Sequence, residues 1–295
     1  MNDSRRGPPI PRSAVAAPFA WLVLLLLIPL LLILKISVAE PALGQPPYTP
    51  LFGSSADHAG WIANLANYRL LLSDLLYVEA LLYSVGIAAL STLLCLLLGY
   101  PMAYAVSRAP DRLRPLLLML VVLPFWTSFL IRIYALTGLL NDHGSINNAL
   151  IALGLVGEPL RLLHTPFATV FGIVYAYLPL MVLPLYANLA HLDKDLHDAA
   201  GDLGARPATG FLTVTLPLSV PGIVAGCMLV FIPAVGEFVI PDLLGGPDSL
   251  MIGKLLWTEF FTNRDWPLAS ALAVLLLVAL VAPILWFERQ REARL

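Results

Sequence analysis

The stretch "DAAGDLGARPATGFLTVTLPLSVPGI", Asp198 to Ile223, separates two long apolar runs and decides how the rest of the chain is read. Asp195 to Leu203 consists of good helix formers, and Gly204 tolerates the left-handed torsions that stop a helix. A short helix is predicted there. Asp198 falls near its start, where the helix dipole favours carboxylates. Ala199 and Ala200 leave the surface nearly bare, so another protein's groove can approach closely. Pro217 and Pro221 with Gly222 then punctuate the entry into the next apolar run, because Pro is tolerated in the first helical turn. The expected geometry is a rigid knob on a stiff lever. Any one of these residues alone reads as a solvated acidic turn; the whole pattern in a suitably oriented loop is far more specific.

The flanking runs set the knob beside a membrane. Of 295 residues, 59% are hydrophobic and only 12% charged, too few charges to cover a soluble globule of this size. A net charge of -2 without a basic stripe argues against a nucleic-acid partner. Cys95 and Cys227 lie inside apolar runs without C-x-x-C spacing, so they read as packed or lipid-facing small hydrophobes, with no disulfide framework and no metal site. A helix needs roughly 20 apolar residues to cross about 30 Å of hydrocarbon. Six stretches qualify, at about 17–38, 80–106, 115–138, 166–190, 217–241 and 267–287. The first follows Arg5, Arg6 and Arg12 like a signal peptide, but its apolar core is too long for one and it is kept as a span, with cleavage after Ala39 as the minor alternative. The fold class is therefore an all-α membrane protein with six transmembrane helices.

Orientation follows from the basic residues of the short loops. With the N-terminus inside, Arg5, Arg6, Arg12, Arg108, Arg112, Arg114, Lys194, Arg206, Arg289, Arg291 and Arg294 lie on the cytoplasmic side, against Arg69, Arg161, Lys254 and Arg264 outside. Eleven against four places both termini and the Asp198–Pro217 loop in the cytoplasm. The organisation is a cytoplasmic tail over 1–16, one transmembrane domain over 17–287 with its charged loop at about 191–216, and a second tail over 288–295. Outer connections fall at about 39–79, 139–165 and 242–266. "PALGQPPYTPLFGSS" (Pro41–Ser55) reads as irregular loop, and "NYRLLLSDLLYVEALL" (Asn67–Leu82) as an amphipathic segment on the membrane face.

The loop also resembles the cytoplasmic signature of the membrane subunits of binding-protein-dependent ABC importers. That signature is E-A-A, then a Gly three residues on, then about nine residues and a hydrophobic-x-Leu-Pro; Asp198, Ala199, Ala200, Gly204, Val214, Leu216 and Pro217 fill it here. Two departures are Asp198 in place of Glu and Gly204 four residues after Ala200. The stretches "LPFWTSFLIRIYAL", "GIVYAYLPLMVLPLY" and "FIPAVGEFVIPDLLGGPDSLMIGKLLWTEFFTNRDWPLASA" are similar to the polyamine branch, particularly permeases for putrescine, with spermidine as the related cargo. This resemblance, from roughly Asn67 to Phe287, implies the type I ABC importer permease fold in a bacterial inner membrane. It further implies a second homologous permease, two ATPase subunits and a periplasmic polyamine-binding protein as partners. The loop becomes the coupling helix that docks into a groove of the ATPase. ATP and Mg belong to those ATPase subunits, and this chain itself binds no cofactor.

A diamine carries two ammonium groups, so its path should offer carboxylates and aromatic faces. Glu237, near the outer end of the fifth run, is the leading candidate, because an ionisable group within a span is costly to bury. The alternative is that Glu237 is hydrated at headgroup level or paired with Arg132. Trp126 and Tyr134 on the third run, and Tyr175, Tyr177 and Tyr186 on the fourth, would add aromatic surface, although an interfacial aromatic belt explains any one of them. Arg132 is expected to snorkel outward, pair with Glu237 or contact a docked binding protein. Asp242, Asp248, Glu259 and Asp265 make the last outer loop acidic, with Asp242 as a contact for the binding protein or gate.

No Walker phosphate loop occurs, since "IGKLL" lacks its first Gly and its Ser or Thr, so energy must arrive from another chain. No H-E-x-x-H or G-x-S-x-G is present, and the five histidines are scattered in loops, so the chain reads as a transport subunit and not an enzyme. A proton-driven secondary transporter would bury several acids near the midplane and use more spans. A permease for another small cationic or organic solute is the nearer alternative.

Overall fold

The computed structural model describes residues 12–49, 52–55, 58–61, 64–193, 195–247 and 249–292. Four of the six expected spans are single helical stretches long and apolar enough to cross a bilayer: Pro18–Ser37, Leu75–Arg108, Pro166–Ala190 and Pro207–Val235. They belong to α1 (Arg12–Ser37), α3 (Leu75–Arg108), α7 (Pro166–Ala190) and, for the last, α9 (Pro207–Gly210), a π-helical turn over Phe211–Thr215 and α10 (Leu216–Val235). Internal prolines such as Pro29, Pro101, Pro179 and Pro221 sit within these helices. Membrane helices tolerate them because neighbouring groups can satisfy the freed carbonyls. α7 begins where its sequence says it should: the Thr165 hydroxyl accepts from the Ala168 amide at 3.2 Å and Pro166 takes the first turn.

The third expected span, 115–138, is not one straight helix. It starts as α4 (Arg114–Val122) and tightens into a 3-10 turn over Leu123–Trp126. The chain then breaks at Thr127 and Ser128 and resumes as α5 (Phe129–Leu140), followed by α6 (Ser145–Ala152). The two halves are bent by 89°. Pro124 has no N–H to continue the ladder, and both the amide and the hydroxyl of Thr127 donate back to the Pro124 carbonyl, at 3.2 and 2.8 Å. The sixth expected span, 267–287, lies within the single helix α13 (Trp266–Glu292).

The chain divides into two compact units. One comprises residues 1–75 with 256–295. In it α1 packs along α13, and α2 (Ala66–Ser73) also lies against α13. Asn67 donates to the carbonyls of Ser37 and Ala39, and the Tyr68 hydroxyl donates to Ser37, so the carboxyl end of α1 is covered by side chains from α2. The stretch read as irregular loop ends in an antiparallel hairpin, β1 (Phe52–Ser55) with β2 (His58–Trp61). Trp266 stacks on Phe260 at 5.0 Å, with Tyr48 6.3 Å away on a tilted ring.

The other unit, residues 76–255, is centred on the packing of α7 against α10. Cys95, Tyr100, Ala103, Met181, Val182, Leu185, Leu189 and Val230 form its core, so Cys95 is a packed small hydrophobe and not lipid-facing. Gly222 and Gly226, one helical turn apart, let the backbones close. A Cβ on Gly222 would stand 2.7 Å from Asn188 Cβ, and one on Gly226 3.2 Å from the Met181 carbonyl oxygen. Gly222 is therefore a packing residue as well as punctuation. Gly226→Leu is expected to destabilise this unit by about 1–3 kcal/mol through overpacking, with Gly226→Ala milder. Thermal melting of the purified protein checks the order.

Candidate functional site

At one end of α10 the quoted loop forms α8 (Asp195–Asp202), about two helical turns, shortly after the end of α7. The backbone of α8 is described, whereas the side chains of Asp198 and Ala199 lie outside the described residues. Gly204 takes φ +80°, its amide donates to the Gly201 carbonyl at 2.8 Å, and the Ala205 amide donates to Ala200 at 3.0 Å. This left-handed stop satisfies the last carbonyls of α8 and turns the chain sharply. Leu203 is 89% exposed beside it and Leu196 on α8 is also exposed, so the loop offers apolar surface.

From α8 the chain is tied firmly to the helices. The π-turn places Phe211 edge-on between Tyr100 and Tyr104, at 5.7 and 5.6 Å between ring centroids. Leu216 and Pro217 open α10 directly after it, and Ser219, one turn in, bonds the Tyr100 hydroxyl at 2.9 Å. Aromatic edge-to-face pairs of this kind contribute about 0.5–1.5 kcal/mol each beyond area burial. Phe211 and Ser219 thereby tie the segment that follows α8 to α3 and to the start of α10.

α10 rises roughly 30 Å over its length, so Glu237 lies at the far end of the helix from α8. The helix stops at Val235, and Gly236, Glu237 and Phe238 form a break before α11 (Val239–Leu243). Glu237 is thus in a break, not inside the span expected over 217–241. It is 7% exposed, which removes the hydrated-headgroup alternative. One carboxylate oxygen, Oε1, accepts from the amides of Phe238, Val239 and Ile240 at 3.1, 2.9 and 3.4 Å. The other, Oε2, accepts a short hydrogen bond from the Tyr177 hydroxyl. Its charge is spread over backbone dipoles at the start of α11.

Glu237 and Tyr177 line one open depression with Phe129, Pro233, Gly236, Phe238 and Val239, of about 490 Å³. The structure therefore brings two of the expected pathway residues together. Trp126 and Tyr134 are not in that lining and are 75% and 59% exposed. Arg132 does not pair with Glu237. It is 8% exposed, with its guanidinium 5.3 Å from the Phe125 ring centroid and 5.9 Å from that of Phe129, and its Nε and Nη1 have no acceptor among the described residues. Cation–π stacking takes the place of the ion pair, one of the three roles open to it, and its burial leaves it largely unexposed to water in this state.

The last loop is less of an acidic attractor than its composition suggests. Asp242 pairs with Lys254 at 3.0 Å, a partly exposed contact worth at most about 1 kcal/mol. Glu259 is buried and accepts from Asn263, and Asp265 caps the Leu268 amide at the start of α13. Asp248 lies outside the described residues.

Residues 95–289 match the family described as the binding-protein-dependent transport system inner membrane component. The chain belongs to this family. The permease is 41% identical over 269 residues to the spermidine/putrescine transport system permease protein PotB of Escherichia coli strain K12, covering 91% of this chain and 93% of that one. It is 40% identical over 281 residues to PotB of Haemophilus influenzae, covering 95% and 94%. Its fold is similar to that in a crystal structure of a bacterial ABC transporter involved in the import of the acidic polysaccharide alginate, with a TM-score of 0.69 at 17% identity over 96% of this chain and 94% of that one. The permease is accordingly an inner-membrane transport subunit of the polyamine-permease branch and not an enzyme.

Sequence reasoning missed Phe129, the aromatic wall that lies between Arg132 and the Glu237 depression, and the Tyr100–Phe211–Tyr104 clamp. In apolar helices any aromatic reads as lipid-facing, so no local signal marks them. Gly236 did carry one: a Gly between Val235 and Glu237, with Pro241 following, is a helix-stop pattern.

Proposed function

We propose that this permease is one membrane-spanning half of an ATP-driven importer that takes up polyamines, putrescine foremost and spermidine as well, delivered by a periplasmic binding protein. The reading is carried by similarity along nearly the whole chain to permeases named for those two amines. In this reading both termini and α8 face the cytoplasm, α8 docks into a groove of an ATPase subunit, and a second homologous permease completes the membrane pair. ATP and Mg act in the two ATPase subunits. Their closure draws the coupling helices together, the Phe211 clamp turns that motion into rotation of α3 and α10, and the far end opens toward the binding protein.

The depression around Glu237 and Tyr177 suits one end of a diamine. An ammonium group is a donor that can take the place of the Tyr177 hydroxyl at Oε2, while Phe129 and Tyr177 supply aromatic faces. Trp126 and Tyr134 stand outside it as exposed aromatic surface for the partner permease or for lipid. Arg132 and Asp242 are assigned to the outer gate and binding-protein side.

Cells carrying the intact assembly should accumulate labelled putrescine and spermidine. Uptake should stop when ATP is depleted and continue when an uncoupler dissipates the proton gradient at constant ATP. Accumulation of neither amine would reject the cargo; uptake that follows the proton gradient would reject the ATP-driven mechanism itself.

A further inference from the structure

We propose that the pocket where α3, α7 and α10 end beside α8 is a binding site for a phosphate-bearing anion, supplied by the headgroup of an anionic phospholipid. It encloses about 90 Å³ and is lined by Tyr104, Ser107, Arg108, Arg114, Leu196 and Thr215, among others. That volume suits a phosphate group and not a whole lipid, whose chains would remain in the bilayer.

Two arginines face this pocket with different degrees of preparation. Arg108 lies with its guanidinium 5.2 Å from the Tyr104 ring centroid, a stacking that fixes the planar fork while leaving its N–H edges directed sideways. It makes no ion pair among the described residues. Arg114 is anchored: Nη2 donates to the carbonyls of Ser107 and Ala109 at 3.3 and 3.1 Å, and Nη1 lies 3.1 Å from Asp111. Its Nε is buried and has no hydrogen-bond partner among the described residues. An N–H left unpaired in a covered position costs about 1–3 kcal/mol, which an anionic oxygen would recover. Asp193 also lines the pocket and has an interaction within the chain.

Cation transport has no use for this constellation, since two guanidinium groups repel an ammonium cargo. Basic pockets between helix ends at the membrane surface are instead suited to anionic headgroups. Leu196 belongs to α8, so an occupant of the pocket touches the helix whose movement the clamp transmits, and anionic lipid would stiffen that seat.

The test uses the purified assembly in nanodiscs of phosphatidylcholine with and without phosphatidylglycerol, with lipid retention read by native mass spectrometry. Wild type should retain phosphatidylglycerol in preference to phosphatidylcholine. Arg108→Gln and Arg114→Gln should each weaken that retention roughly fivefold, the effect of about one cation near a membrane surface. Arg108→Lys should retain most of it, which separates the loss of charge at this position from a loss of fold. Displacement of the lipid by inorganic phosphate would assign the site to the free ion as well; resistance to it would assign the lipid. Equal phosphatidylglycerol retention by wild type and Arg108→Gln, with no difference in phosphate binding, overturns the proposal. Retention is read without transport, so this result leaves the importer reading untouched.

Discussion

Gly204→Trp is expected to abolish amine uptake in proteoliposomes while the ATPase subunits continue to hydrolyse ATP. Two effects must be separated. Gly204 sits at φ +80°, where any L side chain costs about 1–2 kcal/mol. A Cβ at this position nevertheless meets nothing within 4 Å in the chain. Gly204→Ala therefore incurs the strain without adding bulk outward, and should lower local stability with coupling retained. Gly204→Trp incurs the same strain and also fills the space through which a docking partner approaches Leu203 and α8. Uptake per ATP hydrolysed is the measurement, and it should fall by more than about tenfold for Trp and less than about threefold for Ala, a gap larger than strain alone produces. Equal losses in the two variants would mean that the helix end simply melts. Unchanged coupling with Trp would move the docking surface away from this loop.

The loop was legible because its signals are local. A Gly that must take positive φ, a run of helix formers before it and prolines after it are properties of neighbours in sequence, and α8, Gly204 and the Pro217 entry all stand at the places those signals mark. α7 likewise runs over the expected 166–190, because Thr165 and Pro166 mark its start and the apolar run fixes its length. The bend at Thr127 was hidden for the opposite reason. Apart from Thr127, Ser128 and Arg132, Leu123 to Leu136 is apolar or aromatic, and in a bilayer such a run does not distinguish one straight helix from two halves set 89° apart. What decides it is whether neighbours cover the freed carbonyls, and that is tertiary information.

The same limit governs the candidate pathway. Glu237 stood out as a lone acid, yet its partners are three amides of its own turn and a tyrosine sixty residues earlier, and only the backbone path from Gly236 to Ile240 brings them together. Pairing with Glu237 was one of three roles open to Arg132, because an isolated pair of opposite charges invites pairing. The guanidinium instead stacks on Phe125 and Phe129, residues that the break in the third span swings alongside it.

Glu237→Gln should lower uptake at limiting amine by roughly tenfold or more, the loss of one charge-assisted hydrogen bond of about 1.5–3 kcal/mol, with the assembly still purifying intact. Gln retains a carbonyl oxygen for the three amides of Phe238, Val239 and Ile240, so the break keeps its shape. What it loses is the negative charge and an acceptor at Oε2. Tyr177→Phe makes the complementary change: it removes the donor now bound to Oε2 and leaves the carboxylate in place with one oxygen free. If an ammonium group is to take that position, Tyr177→Phe retains uptake to within about twofold, because the incoming donor no longer competes with the hydroxyl. If Glu237 serves only to hold the break before α11, the two variants behave alike, each losing one hydrogen bond, and uptake falls in step with melting temperature. Measured together, the pair distinguishes a carboxylate that binds cargo from one that only caps a helix, and wild-type uptake by Glu237→Gln would remove this residue from the path.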